Sequence, residues 1–75
     1  MIIFTKHSLL KLKQRNIPKN FVDKTVENPD YVASSRNYRR IAYKKFSKLY
    51  LKVIYFEKNN NIIIITQYWN KKINY

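Results

Sequence analysis

The spacing of apolar residues changes period once along this chain, at Asn28-Pro29, and that change constrains the fold more than any other feature. Before it, Phe21, Val22 and Val26 fall on one stripe of a helix. From Tyr31 onward the pattern becomes period two and rich in β-branched and aromatic residues, the signature of strands. Asn28-Pro29 stops the helical part, since the residue before a proline is disfavoured in the helical region.

The remaining elements follow from local signals. "MIIF" reads as a short first strand over residues 1–4. Thr5 is a candidate N-cap for a helix over 6–15, which "NIP" ends. Pro18 suits the first turn of a second helix over 18–27. Four strands are expected over 31–34, 38–46, 49–57 and 62–69. The sequence has no glycine, so asparagine is the residue best able to take positive φ in "KNNN", 58–61, which joins the last two strands. Ser47 and Lys48 form a tighter candidate turn. The tail, residues 70–75, is polar and basic and is expected to be loosely ordered. The order is β-α-α-β-β-β-β. It implies one α+β domain over 1–75, with two N-terminal helices packed on one face of a curved antiparallel sheet and the other face partly open.

At 75 residues the chain supports one small core, burying roughly 60% of its unfolded surface. Its 45% hydrophobic content is enough to fold. No apolar run approaches the ~18 residues of a membrane span. The N-terminus shows no basic leader before an apolar core, so no signal peptide is expected. Cysteine is absent, which excludes disulfides and thiolate metal sites and suits a reduced cytoplasm. A chain without glycine has no glycine-rich phosphate loop, so nucleotide hydrolysis of that kind is excluded. Asp23 and Glu27 stand one helical turn apart, but with four acids and one histidine they read as partners for nearby lysines rather than metal ligands. No cofactor and no metal are expected.

Sixteen Lys and Arg against four acids give a formal charge of +12. Self-repulsion at that level opposes compaction, which points to a polyanionic partner, nucleic acid first. A membrane surface would need an amphipathic apolar face or a lipid anchor, and neither is evident. AT-rich coding is a competing source of the lysines, but it accounts less well for Arg36, Arg39 and Arg40.

In the first helix His7, Lys11 and Arg15 are four apart and share one face, with Gln14 beside them. Leu9 and Leu12 are expected to point to the core, with Leu10 flanking the polar face. An imidazole there could take a proton from a hydroxyl. The same pattern fits a solvated basic face on which His7 merely packs at the sheet edge, and the residues alone leave both open. Tyr38, Tyr43, Tyr50, Tyr55, Tyr68 and Trp69 interleave with cations. That suits stacking of unpaired RNA bases, and equally suits an antiparallel sheet.

"FTKHSLLKLKQRNIPKNFVDKTVENPDYV", "YRRIAYKK", "LYLKVIYF" and "IIIITQYW" resemble a small bacterial domain family. Its pattern is an F-T-x-H helix with spaced Arg/Lys, an E-N-P-D turn and a closing strand ending in T-x-Y. That family is similar to the RelE/ParE-like toxins of toxin–antitoxin pairs, including the BrnT-like branch. Where the family often has Arg, this chain has Lys11, which keeps the charge and loses bidentate geometry. The resemblance implies a metal-independent endoribonuclease, free or ribosome-dependent, in which a ribose 2′-hydroxyl attacks the adjacent phosphate and cations stabilise the developing charge. It implies His7 as base or acid and Lys11 and Arg15 as phosphate clamps. Arg40 is another candidate clamp. Arg39 and Arg40 point to opposite sheet faces, so one of them at most reaches a site. Thr66 and Tyr68, on one face of the last strand, would bind the phosphate or stack a base. The partners implied are RNA, free or on the ribosome, and an acidic antitoxin in a hetero-oligomer. A non-catalytic nucleic-acid-binding module, or inhibition of a protein target as in the ParE branch, are the competing functions.

Overall fold

The computed structural model describes residues 1–74. Its elements are β1 (Ile2–Phe4), α1 (Lys6–Gln14), α2 (Lys19–Glu27), β2 (Tyr31–Ser34), β3 (Arg40–Phe46), β4 (Leu49–Lys58) and β5 (Asn61–Asn70). The order is the one the sequence implies, and the domain is α+β with both helices before the main run of strands. The expected tail shortens because Asn70 belongs to β5; Tyr75 lies outside the described residues.

The sheet runs β1-β5-β4-β3-β2. The last four strands form an antiparallel meander, and β1 lies parallel to β5, pairing Ile2 with Ile62 and Phe4 with Ile64. The sheet is therefore mixed. A parallel neighbour needs a long crossover, and here the two helices and three strands between β1 and β5 supply it.

Asparagine takes the backbone positions that glycine would otherwise fill. Asn59 and Asn60, between Lys58 and Asn61, have φ of 52° and 65°, the signs of a type I′ hairpin turn. Asn16, at φ 52°, ends α1. There the amide of Ile17 donates to the Leu12 carbonyl and that of Asn16 to Lys13, while Leu12 and Ile17 are both buried in the core. This pair of hydrogen bonds with its apolar contact is a Schellman cap. Pro18 follows at the N-cap of α2, one position earlier than expected, with extended backbone and its carbonyl accepting from Phe21.

The core lies between the helices and one sheet face. Val22 and Val26 of α2 and Leu12 of α1 meet Ala42, Leu51, Val53, Tyr55 and Ile64. Phe21 stacks on Phe46 at 4.2 Å, and Trp69 meets both rings edge-on. Leu9 is 45% exposed, against expectation. Ser8 is fully buried beside Leu12, because α1 approaches β5 closely enough that only a small side chain fits. No helix among the described residues is long and apolar enough to cross a membrane.

Candidate nucleic-acid interface

The site begins with how α1 is held. Thr5 caps the helix by accepting from the Ser8 amide, and its hydroxyl donates to the Ile64 carbonyl at 2.9 Å. Gln67, fully buried, donates its amide to the Ser8 carbonyl at 2.8 Å. Trp69 donates its indole N–H to the Arg15 carbonyl at 3.2 Å. Polar bonds thus tie α1 to β5 from its cap to its last turn.

These bonds carry Arg15 past the outer border of β5, beyond the stretch where β1 pairs. Arg15 is half-buried rather than exposed, as a free clamp would have been. Its Nη1 donates to the Gln67 carbonyl at 2.8 Å and to Thr66 Oγ1 at 3.2 Å. Both bonds leave from one nitrogen, so Nη2 and Nε keep their donors for a phosphate, already oriented. The guanidinium lies 5.5 Å from the centre of the Tyr68 ring.

Strand register extends this group across the face that the helices leave uncovered. Tyr31 pairs with Tyr43, Tyr43 with Lys52, and Lys52 with Tyr68. Lys52 Nζ lies 5.2 Å from the Tyr68 ring and 5.8 Å from Tyr43. The row reads Tyr31, Tyr43, Lys52, Tyr68, Arg15. Partial burial by itself lowers the Lys52 pKa, but hydrogen bonding and attraction from Tyr68 and Tyr43 outweigh it and hold the pKa above the ordinary value. Lys52 is thus firmly a cation. The acids stand elsewhere. Asp30 pairs with Lys44, Glu57 with Arg40, and Asp23 and Glu27 lie on α2.

Of the six residues singled out in sequence, Arg15, Thr66 and Tyr68 come together. Lys11 sits one turn back and donates to Gln14 at 2.8 Å. His7 is exposed on the first turn of α1, about 12 Å from Arg15 along the helix axis. No hydrogen bond or ion pair engages it among the described residues. Arg40 does not join them. It pairs in register with core-facing Tyr55, so its side chain is on the helix-bearing side of the sheet, where it meets Glu57 at 3.4 Å.

Lys52, and its contact with Tyr43, escaped sequence reasoning. Counting back from the Asn59–Asn60 turn without interruption sets Lys52 opposite Gln67. A β-bulge at Ile54/Tyr55 shifts the pairing by one and sets it opposite Tyr68. The run "NIIIIT" has no alternation that could signal the bulge.

Protein-family models, curated proteins and solved structures return no match to this chain.

Proposed function

We propose that this protein binds single-stranded RNA across the open face of its sheet. The observation that carries the reading is the group Lys52, Tyr68 and Arg15, in which the Tyr68 ring lies between two cations, Tyr43 is buried beside Lys52, and Thr66 and the Gln67 carbonyl fix Arg15. Bases stack on tyrosine rings and guanidinium planes, and cations take the phosphates between them. The test is RNA affinity across a salt series. Log affinity is expected to fall linearly with log salt, at about 0.7 per phosphate contacted. Arg15→Ala should weaken binding and lower the slope. A flat salt response would remove the polyanion reading.

A second reading adds cleavage: a toxin-like, metal-independent endoribonuclease neutralised by an acidic antitoxin in the cytoplasm. What favours it is His7, exposed and unengaged on the helix that carries Arg15. At about 12 Å from Arg15, His7 would act on a different nucleotide from the one Arg15 holds. Lys11, one turn away, would be the nearest cation to the phosphate under attack. Purified protein in EDTA, with and without ribosomes, tests this. His7→Ala should lower cleavage ~10²–10⁴-fold while RNA binding persists. Binding without cleavage in either condition leaves the first reading alone.

A further inference from the structure

The connection between β2 and β3 contains a conformational oddity. The Arg39 amide donates to the Arg36 carbonyl, and the Ser35 amide to the Arg39 carbonyl. Between them Asn37 and Tyr38 both have φ of 61°. The φ signs and the Arg39-to-Arg36 bond are those of a type I′ turn, as at Asn59–Asn60, but offset by one residue because Arg39 also bonds across to Ser35. A Cβ crowds the following carbonyl in that conformation; the short polar side chain of asparagine offsets this by hydrogen-bonding locally, and tyrosine has no such compensation. The ring gains nothing in return from packing, because Tyr38 is 96% exposed. Strain held in place without a packing reason is a mark of function.

The surroundings indicate what the ring is for. Arg36 and Arg39 flank it, exposed, with no side-chain partner among the described residues. Arg40 is engaged by Glu57. An open cavity of about 710 Å³ at the tip is lined by Ser34, Ser35, Asn37, Arg39, Arg40 and Glu57 as well as the ring. An exposed ring on a turn that also carries two free guanidinium groups is the chemistry that receives an unpaired base and its phosphates. An acidic peptide would engage the arginines but has no use for the ring. The tip lies five residues along β3 from Tyr43, about 16 Å from the open-face row, so it is a separate contact.

We propose that the β2–β3 hairpin tip is a second RNA contact. Tyr38 stacks one unpaired base, and Arg36 and Arg39 take its flanking phosphates. The proposal rests on the RNA-binding reading above, whose site lies on other residues.

Tyr38→Asn tests it, because it copies the Asn59–Asn60 pair into this turn. The variant should melt higher than wild type by about 4–8 °C, as the strain is relieved. It should bind a single-stranded RNA of about 16 nucleotides roughly 5- to 150-fold more weakly, as the stack is lost. Tyr38→Phe should match wild type in both. Arg36→Ala with Arg39→Ala should lower the salt slope by about 1.4. A Tyr38→Asn variant that binds RNA as wild type does, or that loses polyglutamate binding by the same factor as RNA binding, overturns the proposal. Wild type that binds no RNA overturns the open-face reading and this one together, an outcome distinct from loss at the tip alone.

Discussion

The two helices are equal in length and rest on the same sheet face, yet they are held by different forces. α2 buries Val22, Thr25 and Val26 and adds Phe21 to the ring cluster with Phe46 and Trp69. Each fully buried apolar side chain there contributes about 1.5–3 kcal/mol. α1 buries only Ser8 and Leu12, and six side-chain hydrogen bonds between it, with its caps, and β5 position it. Apolar burial is non-directional and tolerates sliding. Hydrogen bonds fix distance and angle. The helix carrying His7, Lys11 and Arg15 is the one secured by directional bonds, as a helix that must aim a guanidinium requires.

Trp69 touches both helices, so its loss should have the largest effect. Trp69→Ala is expected to cost about 3 kcal/mol, the low end for a large aromatic because the ring is only half-buried. Trp69→Phe should keep most of the contact with Phe21 and Phe46 while losing the bond to the Arg15 carbonyl. Denaturant melts should then show a loss of ~1 kcal/mol, with faster amide exchange confined to the end of α1. Exchange rising equally in α2 would break the distinction between the helices.

Val22→Ala should cost about 2 kcal/mol and lower the stability of the whole domain, since Val22 is fully buried. Arg15→Ala comes next, at ~1–2 kcal/mol, and should act locally. Its signature is increased exchange in α1 with little change in α2, together with weaker RNA binding. A global loss from Arg15→Ala as large as that from Val22→Ala would show that α1 is part of the core after all.

The smallest effect appears at alkaline pH and involves one residue on each face of the sheet. Tyr55 is raised above its ordinary value, chiefly by burial, with Arg40 opposing and Glu57 adding. Lys52 is also raised, by Tyr68 and Tyr43 against the opposing effect of burial. In each case the folded state holds the proton more tightly than the unfolded chain. Their contribution is complete below about pH 10 and is lost as pH rises through the raised values. Lys52→Met should therefore lose less stability than wild type between about pH 8 and about pH 11. Parallel losses would show that Lys52 is not held by the tyrosines.

Much of this was legible because local chemistry dictates it. Thr5 caps α1, Asn59 and Asn60 turn the last hairpin without glycine, and Asn28-Pro29 ends α2, each through a preference that acts over a few residues. The strand expected over 38–46 begins at Arg40 because Asn37 and Tyr38 are spent in a turn, and nothing in a tyrosine announces positive φ. Leu9 looked like core because helical spacing gives a stripe but not its closest neighbour. The proximity of β5 gave that place to Ser8.

The sequence by itself determined the order of elements, the ends of the helices and the excess of positive charge, since these depend on residue type and near neighbours. Tertiary structure decided which side of the sheet each residue of β5 occupies. Ile62 and Ile64 face the helices, and unbroken alternation would have sent Thr66 and Tyr68 after them. The bulge at Ile54/Tyr55 reverses the alternation. Gln67 and Trp69 turn toward the helices, where Trp69 packs against Phe21 and Phe46, and Thr66 and Tyr68 turn outward to meet Arg15 and Lys52. A one-residue shift changes the face of every residue beyond it. Its position is set by packing between elements far apart in the chain, which the local pattern of "IIIITQYW" does not encode.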